Sequence, residues 1–207
     1  MIVVGLTGSI GMGKSTAAAL LRRLGIPVYD ADRAVHELLA RGGRAVPAIA
    51  ARFPAAVRAG AVDRDALGRI VFADPAKLRA LEAIVHPLVF QAQKRFLETH
   101  ARRRSRLVVL DIPLLFEAGS HRRCDRTLVV SAPTPLQRQR VMRRPGMTAE
   151  KFAGILAKQM PDAEKRRRAD VVIPSGLGKH LTLTRLRRAV RRFALRRSRR
   201  RPAWRTR

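Results

Sequence analysis

The feature that most constrains this chain is a glycine-rich loop between an apolar run and an Ala/Leu-rich segment. Residues 8–16 read GSIGMGKST, which completes the pattern G-x-x-x-x-G-K-[ST]. The apolar run at 2–6 predicts a buried strand, and the segment after the loop predicts a helix. A strand, a tight loop and a helix N-terminus form an anion cradle, because backbone N–H groups and the helix dipole converge there. The sequence therefore predicts a site for the phosphates of a nucleoside triphosphate.

The side chains of this loop have distinct expected roles. Lys14 is expected to reach the β- and γ-phosphates, and the hydroxyl of Ser15 is expected to bind Mg²⁺. A glycine-rich turn that matches the pattern by chance is the alternative, and the flanking strand and helix weigh against it. The predicted ATP-binding residues of the loop are Gly11, Met12, Gly13, Lys14, Ser15 and Thr16.

Apolar, β-branched runs recur along the chain and alternate with helical patterns. This alternation favours a parallel sheet with right-handed crossovers. We therefore predict an α/β fold of the P-loop NTPase type, a five-stranded parallel sheet with helices on both faces. The runs lie at 2–6, 26–29, 106–111, 127–131 and 170–174.

Three stretches depart from this simple alternation. Residues 33–104 are too long for one crossover and read as helix after helix, with Asp74-Pro75 as a helix start, so they predict a helical insertion or small second domain. Residues 140–168 are polar, with Thr148 as a helix cap, and predict a lid. Residues 196–207 are basic and lack an apolar stripe, which predicts a disordered tail. The predicted core is then 1–32, 105–139 and 169–195.

The net charge of +29 is extreme and is concentrated towards the C-terminus, since the last acidic residue is Asp170. We expect weak polyanion binding by the tail but no specific nucleic-acid partner. A single cysteine, Cys124, excludes an internal disulfide and fits a reducing compartment. No apolar run approaches the ~20 residues that span a bilayer, and the N-terminus lacks the basic region of a signal peptide. These features predict a soluble, cytoplasmic protein.

Carboxylates follow the second and third predicted strands. Side chains at the C-terminal ends of strands beside a phosphate loop point into the ligand crevice. One of Asp30 and Asp32 is expected to accept the proton of an attacking hydroxyl, and the other to cap the next helix. Asp111 resembles the strand-end acid that holds Mg²⁺ through water, with helix capping as the alternative, and we assign it to the metal and to the substrate. Glu117 is expected to make a structural or substrate-side polar contact.

Two arginines are the candidates in the predicted lid. Arg140 and Arg144 stand at i and i+4, which predicts that they share one helical face. The planar fork of arginine suits phosphate oxygens and can neutralise charge during transfer. The alternative is that they are two ordinary surface cations of an arginine-rich chain.

Together these segments closely resemble the dephospho-coenzyme A kinase family, from Met1 to about Phe193. The order and spacing of the markers, rather than any single one, make the resemblance specific. The markers are Gly5-Leu6-Thr7-Gly8 through Thr16, Asp30-Ala31-Asp32, His86-Pro87, Asp111 through Glu117, Gln159-Met160, and Glu164-Lys165-Arg166 leading to Ala169 through Ile173.

The resemblance implies transfer of the γ-phosphoryl group of ATP to the ribose 3′-hydroxyl of dephospho-coenzyme A. We expect Mg²⁺ to accompany the ATP and the protein to be a monomer. The resemblance also implies that Asp32 is the base, that Lys14 and Arg140 stabilise the transferring charge, and that Arg144 closes over ATP. The helical insertion would bind the coenzyme A part, with His86 on the substrate side. For His86-Pro87 a simple helix break is the alternative.

The chain departs from the family at three places. In the phosphate loop, Ser9 and Met12 stand where the family often has glycine and a small residue, and neither position supplies the obligatory side-chain chemistry. Phe90-Gln91 stands where the family commonly has an arginine close after His-Pro, and Pro174 through Gly178 replaces an Asn- or Thr-containing loop near the adenine. Two rival functions share several features. A nucleoside or nucleoside-monophosphate kinase has the same loop, insertion and lid, and an RNA-binding nucleotide switch would explain the charge, although the tail offers few aromatic residues for stacking.

Overall fold

The computed structural model describes residues 1–195, so the predicted tail at 196–207 lies outside the described residues. The chain divides into two compact units. The first joins Met1–Tyr29 to the chain from Thr99 onward, and the second is Asp30–Glu98. The second unit thus begins at Asp30 and ends at Glu98, whereas the sequence analysis placed the insertion at 33–104.

The described strands and helices follow the predicted alternation only in part, because some successive strands have no α-helix between them and some helices follow one another directly. The strands are β1 (Ile2–Thr7), β2 (Val28–Asp30), β3 (Val57–Arg58), β4 (Ala61–Val62), β5 (Leu107–Asp111), β6 (Arg126–Ser131) and β7 (Val171–Pro174). The helices are α1 (Lys14–Arg23), α2 (Ala31–Leu39), α3 (Val46–Arg52), α4 (Arg64–Phe72), α5 (Pro75–Arg102), α6 (Thr134–Met142), α7 (Ala149–Ala157), α8 (Asp162–Arg168) and α9 (Lys179–Ala194).

Five of these strands form one sheet in the order β2-β5-β1-β6-β7. The pairs β1–β5, β1–β6 and β6–β7 are parallel, and Leu6 of β1 lies opposite Asp111 of β5. All residues of β1, β5 and β6 are buried, which is why their sequences read as continuous apolar runs. The predicted α/β fold with a five-stranded parallel sheet is confirmed. The carboxyl ends of β1, β5, β6 and β7 consequently meet at one edge of the sheet.

The core of the first unit packs α1 and α9 onto the sheet. Leu21 of α1 and Leu186 of α9 are fully buried in the same cluster as Val4 and Val109 of the sheet. Helix α9 presents an apolar face to this core, since Leu186 and Phe193 are buried there and Leu183 and Val190 pack against the cluster. No helix within residues 1–195 has both the length and the apolar character needed to cross a membrane.

The second unit has a core of its own, in which Ile49, Phe53 and Leu67 are buried. It also contains an antiparallel hairpin of β3 and β4, which the sequence analysis missed because it read this region as helices alone. The hairpin turn uses a left-handed backbone at Ala59 and Gly60. Helices α4 and α5 of this unit begin at aspartate caps, whereas α3 has no side-chain cap. Asp63 Oδ1 accepts the N–H of Ala66, and Asp74 Oδ1 accepts the N–H of Ala76, which confirms the predicted start at Asp74-Pro75.

Helix α5 runs through Pro87 without a break. The alternative interpretation of His86-Pro87 as a helix end is therefore wrong. Proline lacks the N–H that would bond the carbonyl four residues earlier, at Ala83. Ala83 and Pro87 both lie on the exposed side of α5, where water can satisfy that carbonyl, so the helix tolerates the proline.

Candidate active site

The loop at 8–16 has a backbone that glycine alone fits at several positions. Gly11 and Gly13 adopt φ angles of 77° and 88°. A Cβ on Gly8 would lie 2.6 Å from the carbonyl oxygen of Val130, and one on Gly11 would lie 2.5 Å from Cγ2 of Val141. Gly13 precedes α1, and no side chain caps the first turn of that helix. The N–H groups of this turn are therefore donors that an anion can occupy.

Lys14 and Asp111 form an ion pair at the loop. Lys14 Nζ lies 2.7 Å from Asp111 Oδ1, with exposed side-chain fractions of 15% and 3%. Asp111 ends β5 and lies opposite Leu6 of β1, so the parallel register brings the strand-end acid to the loop that follows β1. The structure thus brings together two of the residues that the sequence analysis selected.

Arg140 lies against the phosphate loop and the end of β7. Its Nη2 donates to the carbonyl oxygen of Ser175 at 2.9 Å, and its Nη1 donates to Ser175 Oγ at 3.0 Å and to the carbonyl oxygen of Gly11 at 3.4 Å. The Ser175 hydroxyl donates in turn to the carbonyl oxygen of Met12 at 2.6 Å. Arg140 was predicted from the sequence, whereas the role of Ser175 was not, because a lone serine after a strand carries no signal of its partners.

The expectation that Arg140 and Arg144 share a helical face is wrong. Helix α6 ends at Met142, and Arg144 lies beyond it in a turn. The N–H of Arg144 donates to the carbonyl oxygen of Val141. Pro145 follows Arg144, and a residue before proline is disfavoured in helical geometry. Arg140 and Arg144 therefore do not belong to one helix.

Met12 has a structural side chain within the loop. It is 2% exposed, and its sulfur accepts the N–H of Ala132 at 3.0 Å. Any contact of Met12 with a nucleotide is left to its backbone. Ser15 and Thr16, in the first turn of α1, are exposed.

Two glutamines hold the peptide groups of Ile10 in the phosphate loop. Gln159 Oε1 accepts the N–H of Ile10 at 3.0 Å, and Gln137 Nε2 donates to the carbonyl oxygen of Ile10 at 2.8 Å. Gln137 lies in α6, and Gln159 lies between α7 and α8, both within or beside the predicted lid. The family marker Gln159-Met160 was visible in the sequence, whereas Gln137 carried no signal.

Glu117 anchors the segment around α8. Its Oε1 accepts the N–H of Met160 at 2.8 Å and lies 2.9 Å from Nζ of Lys165, a side chain with no exposed surface. Burial raises the pKa of Glu117, but the Lys165 ammonium and the backbone N–H groups together lower it by a larger amount. The pKa of Glu117 therefore lies below its ordinary value. Glu117 is thus a structural polar contact, which is one of the two roles expected for it.

Within the second unit, Asp30 and Asp32 are used differently. Asp30 Oδ1 accepts the N–H of Arg33 at 3.0 Å and caps α2, as the capping interpretation expected for one member of the pair. Asp32 lies exposed in the first turn of the same helix, and no described residue pairs with its carboxylate. His86 is exposed on α5.

The fold is a parallel α/β sheet with a G-x-x-x-x-G-K-S loop, and the lysine of this loop pairs with the aspartate at the end of the neighbouring strand. These features define a phosphate-loop nucleotide-binding protein. The sequence model of the family described as dephospho-CoA kinase matches residues 2–177. The chain belongs to the dephospho-CoA kinase family, and the resemblance found in the sequence is confirmed.

Individual relatives agree with this assignment. The dephospho-CoA kinase of Paramagnetospirillum magneticum is 64% identical over 166 residues, which are 80% of this chain and 78% of that protein. The crystal structure of TT1252 from Thermus thermophilus has a TM-score of 0.81 and 43% identity, covering 92% of this chain and 96% of that one. The dephospho-CoA kinase from Campylobacter jejuni, at 22% identity, a TM-score of 0.70 and coverage of 93% and 96%, shares the fold.

Proposed function

We propose that this chain transfers the γ-phosphoryl group of ATP to the ribose 3′-hydroxyl of dephospho-coenzyme A, which yields coenzyme A and ADP as the last step of coenzyme A biosynthesis. The observation that carries the proposal is membership of the dephospho-CoA kinase family over residues 2–177. ATP as the donor follows from a kinase family with a phosphate loop. The contacts of Lys14 and Arg140 at that loop support it.

The donor side of the reaction uses the loop, Lys14 and Arg140. The free N–H groups at the start of α1 bind phosphate oxygens. Lys14 Nζ, now 2.7 Å from Asp111, turns towards the β- and γ-phosphates and neutralises charge that develops on them. Arg140 supplies a planar cation, already fixed against the loop, for the same charge. We keep Arg144 as a residue that closes over ATP, now from the turn after α6 rather than from a shared helix face.

We propose that Mg²⁺ is held by Ser15 and Asp111 together with the phosphates. Hydroxyl and carboxylate oxygens are the ligands that this ion prefers, and it commonly uses one or two protein ligands plus phosphate oxygens and water. The ion pair of Asp111 with Lys14, at 2.7 Å, supports a charged carboxylate at this point. When bound, the ion would supply further neutralisation of phosphate charge.

On the acceptor side we propose Asp32 as the general base. Its exposed carboxylate has no described partner, so both oxygens can accept a proton. The 3′-hydroxyl oxygen forms the new bond to phosphorus, its proton passes to Asp32, and the bond to the β–γ bridging oxygen breaks to release ADP. We propose that the unit Asp30–Glu98 binds the coenzyme A part, with exposed His86 as a substrate contact, and that Asp111 also serves the substrate side.

The proposal is tested with Lys14→Ala and Asp32→Asn, with ADP formation followed by a coupled assay. Lys14→Ala is expected to abolish turnover. Asp32→Asn is expected to lower kcat by about 10²–10⁴-fold, the range of general base catalysis, with little change in KM for ATP. Asp30→Asn is the matched control, because asparagine caps a helix as well as aspartate does, and it should keep nearly full activity. Equal kcat values for Asp32→Asn and Asp30→Asn would reject the base assignment.

We further propose that the enzyme is a cytoplasmic monomer whose basic tail binds polyanions weakly. A single buried cysteine supports a reducing compartment. Deleting residues 196–207 is expected to leave kcat unchanged and to reduce retention on heparin. A loss of turnover on truncation would instead assign the tail to catalysis.

A further inference from the structure

We infer that Ser175 is a positioning residue that holds Arg140 against the phosphate loop, so that its hydroxyl affects phosphoryl transfer through Arg140. This inference rests on the proposed function, because it takes Arg140 as the cation that stabilises the transferred group. Ser175 is itself assigned no contact with the nucleotide.

The hydrogen-bond directions around the Ser175 hydroxyl are fixed by its two partners. The Met12 carbonyl, 2.6 Å away, can only accept, and the guanidinium of Arg140, 3.0 Å away, can only donate. The hydroxyl must therefore give its proton to Met12 and its lone pair to Arg140. One oxygen atom thus links the backbone of the phosphate loop to the side chain of the arginine.

The main chain of Ser175 adds a second bond to the same arginine. Its carbonyl oxygen accepts Nη2 of Arg140 at 2.9 Å, while its hydroxyl takes Nη1. Two bonds from different nitrogens of a planar fork fix the orientation of the guanidinium as well as its position. The third acceptor is the carbonyl oxygen of Gly11, at 3.4 Å from Nη1, which lies in the loop itself.

Ser175 is well placed for such a role because its own backbone is held by the sheet. Its N–H donates to the carbonyl oxygen of Ser131 at 2.9 Å, which extends the pairing of β6 with β7 beyond Pro174. The phosphate loop also approaches Ser175 closely at Gly13. A Cβ on Gly13 would lie 2.9 Å from Ser175 Oγ and 3.5 Å from Nη1 of Arg140. The glycine therefore leaves room for the serine hydroxyl and the arginine at the start of α1.

The consequence is a cation that is oriented before ATP arrives. Arg140 comes from the last turn of α6, and a long side chain there samples many rotamers unless it is held. Without the hydroxyl, Arg140 keeps one bond to Ser175 and loses the link to Met12. The loss of this orientation should then slow phosphoryl transfer itself, because the position of a group that contacts the transition state affects kcat more than it affects substrate binding.

A double-mutant cycle on the full chain tests the inference. Ser175→Ala is expected to lower kcat about 10-fold, the scale of one hydrogen bond to a charged group, with KM for dephospho-coenzyme A unchanged. Arg140→Ala is expected to lower kcat by about 10²–10³-fold. If Ser175 acts through Arg140, the double variant should equal Arg140→Ala within about twofold, because the two losses share one interaction.

Ser131→Ala is the matched control. Ser131 ends the neighbouring strand, but its hydroxyl donates to Asp162 Oδ2 at 2.7 Å instead of to the loop or the arginine. Its effect on kcat, whatever its size, should multiply with that of Arg140→Ala. If the kcat loss of Ser175→Ala also multiplies with that of Arg140→Ala, the inference is overturned. A Ser175→Ala variant that raises KM for dephospho-coenzyme A as much as it lowers kcat would also overturn it.

The failure of this inference and the failure of the proposed function give different results. If the wild-type chain turns over dephospho-coenzyme A but the kcat losses of Ser175→Ala and Arg140→Ala multiply, the proposed function stands and the link through Ser175 is rejected. A wild-type chain that is inactive on dephospho-coenzyme A rejects the proposed function. The cycle is then measured on the rate at which the chain hydrolyses ATP with water as the acceptor, where non-additivity of Ser175→Ala and Arg140→Ala still supports the link and additivity overturns it.

Discussion

Replacing Glu117 with glutamine removes the charge from the partly exposed half of an ion pair whose other half, Lys165, is buried, and it keeps the shape of the side chain. Glu117 Oε1 lies 2.9 Å from Lys165 Nζ, and the two side chains have exposed fractions of 18% and 0%. A glutamine at this position can still accept the N–H of Met160, so that hydrogen bond is retained. The Lys165 ammonium, in contrast, loses the one counter-charge that the described residues give it.

The expected loss of stability follows from this geometry. Removing one partner of a buried ion pair costs about 3–5 kcal/mol, because the remaining charge stays buried without compensation. Glu117 keeps some exposure, so we take the lower end, about 3 kcal/mol. A chain of this length loses roughly 2–4 °C of melting temperature per kcal/mol, so Glu117→Gln should melt about 6–12 °C below the wild type.

Thermal melts followed by circular dichroism measure this difference. The double variant Glu117→Gln with Lys165→Met should melt close to the wild type, since it leaves no buried charge. The control is Glu37→Gln, which breaks the pair with Arg33 at exposed fractions of 63% and 76% and should cause no measurable change. Equal melting temperatures for Glu117→Gln and Glu37→Gln would refute the reasoning, as would a double variant no more stable than Glu117→Gln.

The pH dependence of the same pair has a defined sign. Burial raises the pKa of Glu117, while the Lys165 ammonium and the backbone N–H groups lower it by more, so the folded-state pKa lies below the ordinary value of 4.5. A carboxyl with a depressed pKa contributes stability above its unfolded pKa, and that stability is lost as the pH falls through the folded pKa. The gap in melting temperature between wild type and Glu117→Gln should therefore be full at neutral pH and shrink below pH 4.5.

Two further predictions concern groups elsewhere in the first unit. Gln159→Met keeps the side-chain shape but removes the acceptor for the Ile10 N–H, so KM for ATP should rise about 3–10-fold because the loop is less preorganised. The control Gln91→Met, which removes an acceptor for Arg44 instead, should leave KM for ATP unchanged. Equal KM values for the two variants would contradict this role of Gln159. Cys124 is buried, and burial raises the pKa of its thiol to about 12, so iodoacetamide should label it in guanidinium but not in the folded chain. Labelling of the folded chain at the unfolded rate, read by mass spectrometry, would contradict this burial.

The sheet and the phosphate loop were predictable because their signals are local. Buried parallel strands read as apolar runs, and the loop pattern requires glycines and a lysine at fixed spacing. The hairpin of β3 and β4 was missed, since strands of two residues carry no periodicity. The prediction that Arg140 and Arg144 share one helical face was wrong because the i,i+4 rule was applied across the end of α6, where Pro145 already argued against a helix.

The parts of the site that the sequence could not reveal are contacts between distant positions. Ile10 bonds Gln159 across 149 residues, and Met12 bonds Ser175 across 163 residues. A glutamine or a serine has many possible partners, and its partner is set by the fold rather than by neighbouring residues. Family resemblance marked Gln159 without explaining it, and it marked Ser175 only as a departure. The structure supplies a physical role for each.

The most direct test of the central claim is a substrate panel with the full chain, ATP and Mg²⁺. Dephospho-coenzyme A, AMP, CMP and a nucleoside are each offered as the acceptor, and ADP formation is followed with analysis of the phosphorylated product. We predict ADP formation that depends on dephospho-coenzyme A and yields coenzyme A with its phosphate on the ribose 3′-oxygen. A preference for AMP, CMP or the nucleoside, or a phosphate on another oxygen, would contradict the account.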